Sequence, residues 1–259
     1  MAATQSAASV LVEREGAVLV VTINRPQARN AIDRATSEAI ALAMDELDTD
    51  PALTLGILTG AGGHFCSGMD LKAFLRGERV ELAGRGLAGI VETPPAKPLI
   101  AAVEGFALAG GCEIALACDL IVAADDAQFG IPEVKRGLIA GSGGLIRLPQ
   151  RIPRQVALEY ALTGAMMPAA EARQWGLVNR LTPRGGALEG ARALARTISA
   201  NGPLAVRMTK RIVAEAPGWA PGDVWPRQRA LLEEILASAD AREGALAFAE
   251  KRAPRWAGS

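Results

Sequence analysis

The chain has 259 residues, of which 28 are lysine or arginine and 28 are aspartate or glutamate, so its formal net charge is zero. Half of the residues are hydrophobic and 4% are aromatic. This composition excludes a disordered chain, and it disfavours a nucleic-acid-binding surface, which is basic and presents aromatic side chains for stacking. A chain of this length builds a large core without disulfides and forms one large domain or two small ones.

Cysteine and histidine usage indicates a reduced protein without a metal site. The three cysteines occur in no C-x-x-C pattern and indicate neither a disulfide framework nor a zinc site, and a single histidine, His64, excludes a multi-histidine site. Residues 1–12 lack the basic start and apolar stretch of a signal peptide, and charged residues interrupt the apolar region 98–124. We therefore expect a cytoplasmic protein that does not span a membrane.

Hydrophobic patterning predicts an α/β core followed by a helical C-terminal part. Apolar and β-branched runs predict strands at 10–13, 18–23, 53–58, 99–103, 120–123 and 128–129. Helical spacing predicts helices at 35–47, 112–117, 156–162, 169–175, 188–199, 204–214 and 224–238. Residues 76–92 are charged and contain glycines, so we expect a mobile surface segment or a helix with weak ends there.

Two glutamates are candidates for acid–base chemistry. Glu113 lies within an apolar sequence, where burial of a carboxylate is costly and should raise its pKa towards the range that a general acid or base needs. An ion-paired structural glutamate, or one that faces solvent at a helix start, is the alternative. Glu133 follows Pro132, which fixes the local backbone and aims the carboxyl group, although a pair with Lys135 or Arg136 would make it an ordinary loop residue.

Glycine-containing turns are candidates for an oxyanion-binding site. Gly110 and Gly111 precede a predicted helix, whose first N–H groups have no partner within the helix, and residues 67–70 form another such turn. Two turns that face each other would hold a developing oxyanion between two N–H donors, although glycines often do no more than make turns. The G-S-G-G run at 141–144 does not fit a nucleotide-binding motif. A Ser-His-Asp site would require His64, but the sequence has no G-x-S-x-G elbow for the serine, so we interpret His64 as structural or incidental.

The order of these motifs resembles that of the crotonase superfamily, the enoyl-CoA hydratase/isomerase family. The segments that carry the resemblance are VTINRP at 21–26, RNA at 29–31, FCSGMDLK at 65–72, GFALAGGCE at 105–113, QFGIPE at 128–133 and GSGG at 141–144. Weaker similarities follow at 162–164, 176–179 and 203–210, so the resemblance runs from about residue 17 to the end of the chain.

The resemblance implies a crotonase-like spiral of ββα units over residues 1–195, which binds an acyl-CoA thioester. It also implies a helical region over residues 196–259 that joins chains into a homotrimer or a dimer of trimers. The family uses neither a metal ion nor a redox cofactor, and CoA is part of the substrate. Nucleic-acid and membrane partners are not expected.

The resemblance also assigns roles in a reaction. The backbone N–H groups of Met69 and Gly110 would bind the thioester oxygen, although Met69 stands where small residues are usual and its side chain would narrow or reshape the acyl pocket. Glu113 as carboxylate would deprotonate water, and protonated Glu133 would deliver a proton to C2 of the substrate. The N–H of Gly141 would help to position the water or the second carboxyl.

Further residues would contact the CoA portion. By resemblance, Ala28 and Arg29 lie near the adenine, and Ser67, Asp70 and Leu71 border the pantetheine and the thioester. Lys72 and Arg29 would meet phosphates, unless they are solvated surface cations.

The implied reaction is reversible addition of water across the C2=C3 bond of a 2-enoyl-CoA to give a 3-hydroxyacyl-CoA, in fatty-acid or related acyl-CoA metabolism. Sister reactions of the same fold remain open, namely carnitinyl-CoA-type dehydration, isomerisation and thioester hydrolysis. A non-catalytic acyl-CoA-binding protein and an RNA-binding protein are the alternatives from other classes.

Overall fold

The computed structural model describes residues 8–258, so the prediction that residues 1–12 hold no signal peptide lies largely outside the described residues. The strands form two sheets. They are β1 (Val10–Glu15), β2 (Val18–Ile23), β3 (Leu55–Gly60), β4 (Leu99–Val103), β5 (Phe106–Leu108), β6 (Leu120–Ala124), β7 (Gln128–Gly130), β8 (Met167–Pro168) and β9 (Arg180–Thr182).

The larger sheet has six strands in the order β1-β2-β3-β4-β6-β9. The turn at residues 16–17 allows β1 to pair antiparallel with β2, while every later neighbour in this sheet pairs parallel. Parallel neighbours need long crossovers, which the intervening segments provide. A smaller sheet, β5-β7-β8, lies beside it, and β5 pairs parallel with β7.

Within residues 8–258, ten helices complete the mixed α/β architecture. They are α1 (Arg34–Thr49), α2 (Leu71–Leu75), α3 (Gly110–Ala117), α4 (Gly144–Arg151), α5 (Arg154–Thr163), α6 (Ala169–Gln174), α7 (Ala187–Ser199), α8 (Pro203–Glu215), α9 (Val224–Leu236) and α10 (Ala239–Glu250). Among residues 8–258, no helix combines the length and the apolar composition that crossing a bilayer requires.

The core lies on both faces of the larger sheet. On one face, alanines of α7 pack against apolar side chains of β2, β3, β4 and β6. On the other face, α1 and α3 contribute to a larger cluster that includes Leu19, Leu58 and Phe65. Because β4 is buried on both faces, its sequence Leu99–Val103 is continuously apolar rather than alternating.

The C-terminal helices α8, α9 and α10 pack mainly against one another. Helix α9 has no buried residue, and large apolar side chains of α9 and α10 are exposed, namely Trp225, Leu232, Leu236, Leu246 and Phe248. The division predicted at residues 195 and 196 falls inside α7, which continues to Ser199. That these helices join chains together stays a prediction.

The segment 76–92 differs from its prediction. It contains only a three-residue 3-10 turn, Leu87–Gly89, and several residues with positive φ, including Gly77, Gly84 and Gly86, prevent a longer helix. Part of it lies at the surface, as expected, but apolar side chains along it are buried in the main core: Val80, Leu87, Ala88, Ile90 and Val91. The third strand was also predicted two residues too early, at 53–58.

Asn30 joins the end of β2 to the next loops. Its side chain is fully buried, donates to the carbonyl oxygens of Ala61 (2.8 Å) and His64 (2.7 Å), and accepts from the N–H of Arg25 (2.9 Å). The backbone of Asn30 is left-handed, with φ of 57°, a conformation that asparagine tolerates better than most residues. This one side chain therefore fixes three backbone groups.

Replacement of Asn30 should destabilise the fold. In Asn30→Ala three buried backbone groups lose their partner, and at about 1 kcal/mol for each hydrogen bond the free energy of unfolding should fall by about 3 kcal/mol. Urea unfolding measures this change. Asn201→Ala, which removes one exposed 3.2 Å hydrogen bond to Thr197, is the matched control and should change little. Equal unfolding free energies for the two variants would contradict this account.

Candidate active site

Two backbone N–H groups without a protein partner lie side by side. Within residues 8–258, neither the N–H of Met69 nor that of Gly110 donates to a backbone or side-chain acceptor. The two groups are close, because a Cβ atom added at Gly110 would lie 3.5 Å from the Met69 nitrogen, and one added at Gly68 would lie 3.0 Å from the Gly110 nitrogen. A small oxygen atom between them would find two donors.

The neighbouring chain sets the direction of the Met69 N–H. Gly68 O accepts from Ile32 N (2.8 Å), and Asp70 N donates to Ile32 O (2.8 Å). In a planar trans peptide the C=O and the following N–H point in opposite directions. Since the carbonyl of Gly68 points towards Ile32, the N–H of Met69 points away from Ile32.

Glycine permits the close approach of the two turns. A Cβ atom at Gly111 would lie 2.1 Å from the carbonyl oxygen of Cys66, which no side chain tolerates. Gly110 begins α3, so its N–H is among those that have no partner inside the helix. Gly111, which allows the close approach, therefore directly follows Gly110, which supplies a donor.

Glu113 lies in the first turn of α3 and is 2% exposed. Its Oε1 accepts from the N–H groups of Ser142 (2.7 Å) and Gly144 (2.8 Å). Burial raises the pKa of Glu113, and the hydrogen bond from Gly144 opposes this shift. The raised pKa expected from the sequence is thus present, while ion pairing, the alternative explanation, is not found among the described residues.

Glu133 lies in the 3-10 segment Pro132–Arg136 that follows β7. Its side-chain Oε2 is buried and has no hydrogen-bond partner, and burial raises its pKa. Among residues 8–258 it forms no ion pair with Lys135 or Arg136, both of which are exposed. Glu133 is therefore a desolvated carboxyl group rather than a loop residue held by a neighbouring cation.

The charge of Glu133 acts on Glu113. After burial and the Gly144 hydrogen bond, the negative charge of Glu133 is the next cause, and it raises the pKa of Glu113 further. Two carboxyl groups whose charges repel in this way favour a state with one proton on the pair. Such a pair can accept a proton at one oxygen and donate one at another.

The G-S-G-G run has a structural role that sequence reasoning missed. Its N–H groups hold the Glu113 carboxylate, and a Cβ atom at Gly144 would lie only 3.1 Å from Glu113 Oε1. The similarity of this run to a phosphate-binding loop could have predicted that it binds a carboxylate, since both arrangements offer backbone N–H groups to an anion. The N–H of Gly141 is directed at neither glutamate, and this residue is exposed.

Three of the residues expected near CoA form one contact group. Ser67 N donates to Arg29 O (3.1 Å), and Ser67 Oγ donates to Ala28 O (3.4 Å). The Arg29 side chain is exposed. Ser67 precedes Met69 by two residues, so this contact group adjoins the turn that carries the free Met69 N–H.

The remaining predicted binding residues begin helix α2. Asp70 caps this helix by accepting from Lys72 N (3.0 Å) and Ala73 N (3.2 Å), and its other oxygen pairs with Arg25. Its carboxylate is thus engaged within the protein. Leu71 and Lys72 are exposed.

A cavity of about 810 Å³ opens next to Met69. Apolar side chains of Met69, Phe74, Val80 and Leu82 share its wall with charged groups of residues 78–81, and Arg34 and Glu92 also line it. Neither Glu113 nor Glu133 is among the lining residues. The cavity therefore adjoins Met69 and not the carboxyl pair.

The ring of His64 stacks on the ring of Phe106, with the two centroids 5.0 Å apart, which fits the structural role expected for this residue.

Comparisons with known proteins find relatives along nearly the whole chain. The family model for enoyl-CoA hydratase/isomerase matches residues 13–259. The chain is 43% identical to enoyl-CoA hydratase EchA19 of Mycobacterium tuberculosis, with 99% of each protein covered. It is also 43% identical to carnitinyl-CoA dehydratase of Salmonella arizonae, over 96% of this chain and 98% of that protein.

A solved structure agrees with the fold in detail. The crystal structure of enoyl-CoA hydratase EchA1 from Mycobacterium marinum is 60% identical in sequence, with a TM-score of 0.96 over 97% of this chain and 100% of that one. The crotonase-like α/β fold expected from the sequence is thereby confirmed. The chain belongs to the enoyl-CoA hydratase/isomerase family.

Proposed function

We propose that the protein is a hydro-lyase that adds water reversibly across the C2=C3 bond of a 2-enoyl-CoA thioester in acyl-CoA metabolism. The observation that carries the proposal is a pair of carboxyl groups with raised pKa: Glu113, on the helix that begins with a free N–H group at Gly110, and Glu133, in the 3-10 segment after β7. Isomerisation needs only one base, so a pair of coupled carboxyls favours hydration or dehydration.

In the proposed mechanism, the N–H groups of Met69 and Gly110 donate to the thioester oxygen. Negative charge grows on this oxygen as water attacks C3, and one such donor is typically worth about 3–4 kcal/mol in the transition state. Because both donors are backbone groups, the methionine side chain does not interfere with this role. It lines the adjoining cavity, where we place the acyl group.

The carboxyl pair supplies the proton transfers. Glu113, oriented by Ser142 and Gly144, uses its second oxygen to take a proton from water, and Glu133 gives a proton to C2. The reverse sequence dehydrates a 3-hydroxyacyl-CoA. We propose that the Gly141 N–H binds the water, and that the CoA part lies along Ala28, Arg29, Ser67, Asp70, Leu71 and Lys72.

The reaction changes no oxidation state overall, and the residues above supply its proton transfers, so we propose that it needs neither a metal ion nor a redox cofactor. Thioester hydrolysis by a cysteine nucleophile is disfavoured, because burial raises the pKa of the Cys112 thiol to about 12 and keeps it protonated. The three cysteines are free and buried, which favours a reducing, cytoplasmic location.

Dehydration of a carnitinyl-CoA-type substrate is the second candidate. The charged side chains in the wall of the cavity beside Met69 favour a polar acyl group, and one relative is named carnitinyl-CoA dehydratase. Both reactions would use the same carboxyl pair. Turnover of crotonyl-CoA and of crotonobetainyl-CoA, compared as kcat/KM, separates the two candidates.

Removal of either acid should abolish most of the activity. Glu113→Gln and Glu133→Gln should each lower kcat for crotonyl-CoA by about 10²–10⁴, the usual contribution of general acid–base catalysis. Loss of the conjugated enoyl absorbance measures turnover, and calorimetry with a saturated acyl-CoA should show that binding persists.

Glu189→Gln on the exposed surface of α7 is the control for these variants and should retain full activity. Full activity in either active-site variant would contradict the mechanism. Acyl-CoA binding by a wild-type protein without turnover of any acyl-CoA tested would instead indicate a non-catalytic binding protein.

The pH dependence follows from the raised pKa of both carboxyls. The pair must hold one proton, so activity falls as pH decreases and the second carboxyl becomes protonated. Because both pKa values are raised, this acid limb of kcat/KM should lie above the ordinary glutamate value of about 4.3. Activity should also fall at high pH, when the shared proton is lost. An acid limb at or below about 4 would contradict the proposed pair.

We also propose that the chain forms a homotrimer or a dimer of trimers through α8–α10. Large exposed apolar side chains on α9 and α10 support this, since burial of such groups drives association. Light scattering should give a mass of three or six chains. Phe248→Asp, at a side chain 87% exposed, should shift the protein to smaller species, whereas a monomeric wild-type protein would contradict the proposal.

A further inference from the structure

A partly buried cluster of ion pairs lies behind the free N–H of Met69. Arg25, two residues after β2 ends, places Nη2 at 2.8 Å from Asp70 Oδ2 and 2.9 Å from Asp33 Oδ2. Its Nη1 donates to the carbonyl oxygen of Ala31. The side chains are only 16% (Arg25), 20% (Asp33) and 12% (Asp70) exposed, so solvent screens these pairs less than it screens surface pairs.

Each of the two aspartates also begins a helix. Asp33 Oδ1 accepts from Thr36 N (2.9 Å) and Thr36 Oγ1 (2.6 Å) at the start of α1. Asp70 Oδ1 accepts from the first N–H groups of α2. The guanidinium of Arg25 therefore ties the starts of two helices together, which two separate caps would not do.

The two chain segments that end at these aspartates include Met69, whose N–H group is free. Residues 31–33 and 68–70 run side by side, joined by the hydrogen bonds that Ile32 forms with Gly68 and Asp70. These bonds turn the Met69 N–H away from Ile32, towards the Gly110 turn. A shift of Asp70 relative to Asp33 would rotate the intervening peptide and misdirect this N–H.

We infer that Arg25 is a positioning residue for the Met69 N–H: by holding Asp33 and Asp70 together, it fixes the donor that polarises the thioester carbonyl. The inference rests on the proposed function. Arg25 has no contact with the carboxyl pair in the described structure, so its loss should act on the polarisation of the substrate and not on the proton transfers.

A spectroscopic probe tests this inference without turnover. The CoA thioester of dimethylaminocinnamic acid absorbs at longer wavelength when its carbonyl oxygen is polarised, and bound to the wild-type protein it should show a red shift. In Arg25→Gln we expect a smaller red shift, kcat lower by about 10–100-fold, and KM changed by less than about threefold. These values are below the 10²–10³-fold effect of removing a donor outright, because the N–H is misdirected and not lost.

Two further variants separate positioning from general stability. Arg192→Gln breaks a comparable partly buried ion pair with Glu15, far along the chain from the site, and should leave both the red shift and kcat unchanged. Asp33→Asn retains a good helix cap but loses the charge that faces Arg25, and it should show a smaller decrease of the same kind. Urea unfolding of each variant reports the loss of stability separately.

The outcomes are distinct. A wild-type red shift in both Arg25→Gln and Asp33→Asn, or equal losses in Arg25→Gln and Arg192→Gln, would overturn the inference. If Arg25→Gln does not fold, a wild-type red shift in Asp33→Asn overturns it. A wild-type protein that shifts the probe but hydrates no enoyl-CoA would overturn the proposed function and leave the positioning role of Arg25 supported.

Discussion

The hydrogen bonds from Ser142 and Gly144 to Glu113 hold a carboxyl group in a site from which water is largely excluded. Burial without partners would cost several kcal/mol, and the two N–H groups offset part of that cost without adding a positive charge that would lower the pKa strongly. The residual cost appears as the raised pKa. The glycines of the 141–144 loop, the short side chains around it and the start of α3 are all consistent with this constraint.

Helix α3 carries both a free N–H donor and a carboxyl side chain. Gly110 and Glu113 are three residues apart, so they lie one turn apart and about 4.5 Å along the helix axis. The first turn of this helix thus carries both a free N–H and an acid side chain. The second N–H comes from the turn at Gly68, which approaches Gly110 closely, and the second acid follows β7, whose Gly130 O accepts from Ala109 N directly before the helix.

Stability and activity place different demands on this region. The Asn30 side chain accepts a hydrogen bond from Arg25 N, and the Arg25 side chain forms ion pairs with Asp33 and Asp70. These contacts hold the turns in place. In contrast, Met69 N, Gly110 N and Glu133 Oε2 have no hydrogen-bond partner among residues 8–258. Unsatisfied polar groups at such a site are expected where a substrate completes the hydrogen bonds, and the surrounding network offsets their cost.

The sequence by itself determined the family, the mixed α/β class, most of the central strands and the two glutamates, because apolar periodicity and ordered motifs are local properties. It missed α2, α4, α10 and the short strands β5, β8 and β9, and it did not predict that residues 86–91 are buried. Apart from α10, those elements are short or begin at glycine, and the burial of 86–91 depends on distant segments. Only the tertiary structure decided that residues 141–144 hold Glu113, that Glu133 forms no ion pair among residues 8–258, and that Arg25 links two helix starts. The contacts of Glu113 with Ser142 and of Arg25 with Asp70 join residues that are 29 and 45 positions apart in the chain, and no local pattern records such pairings.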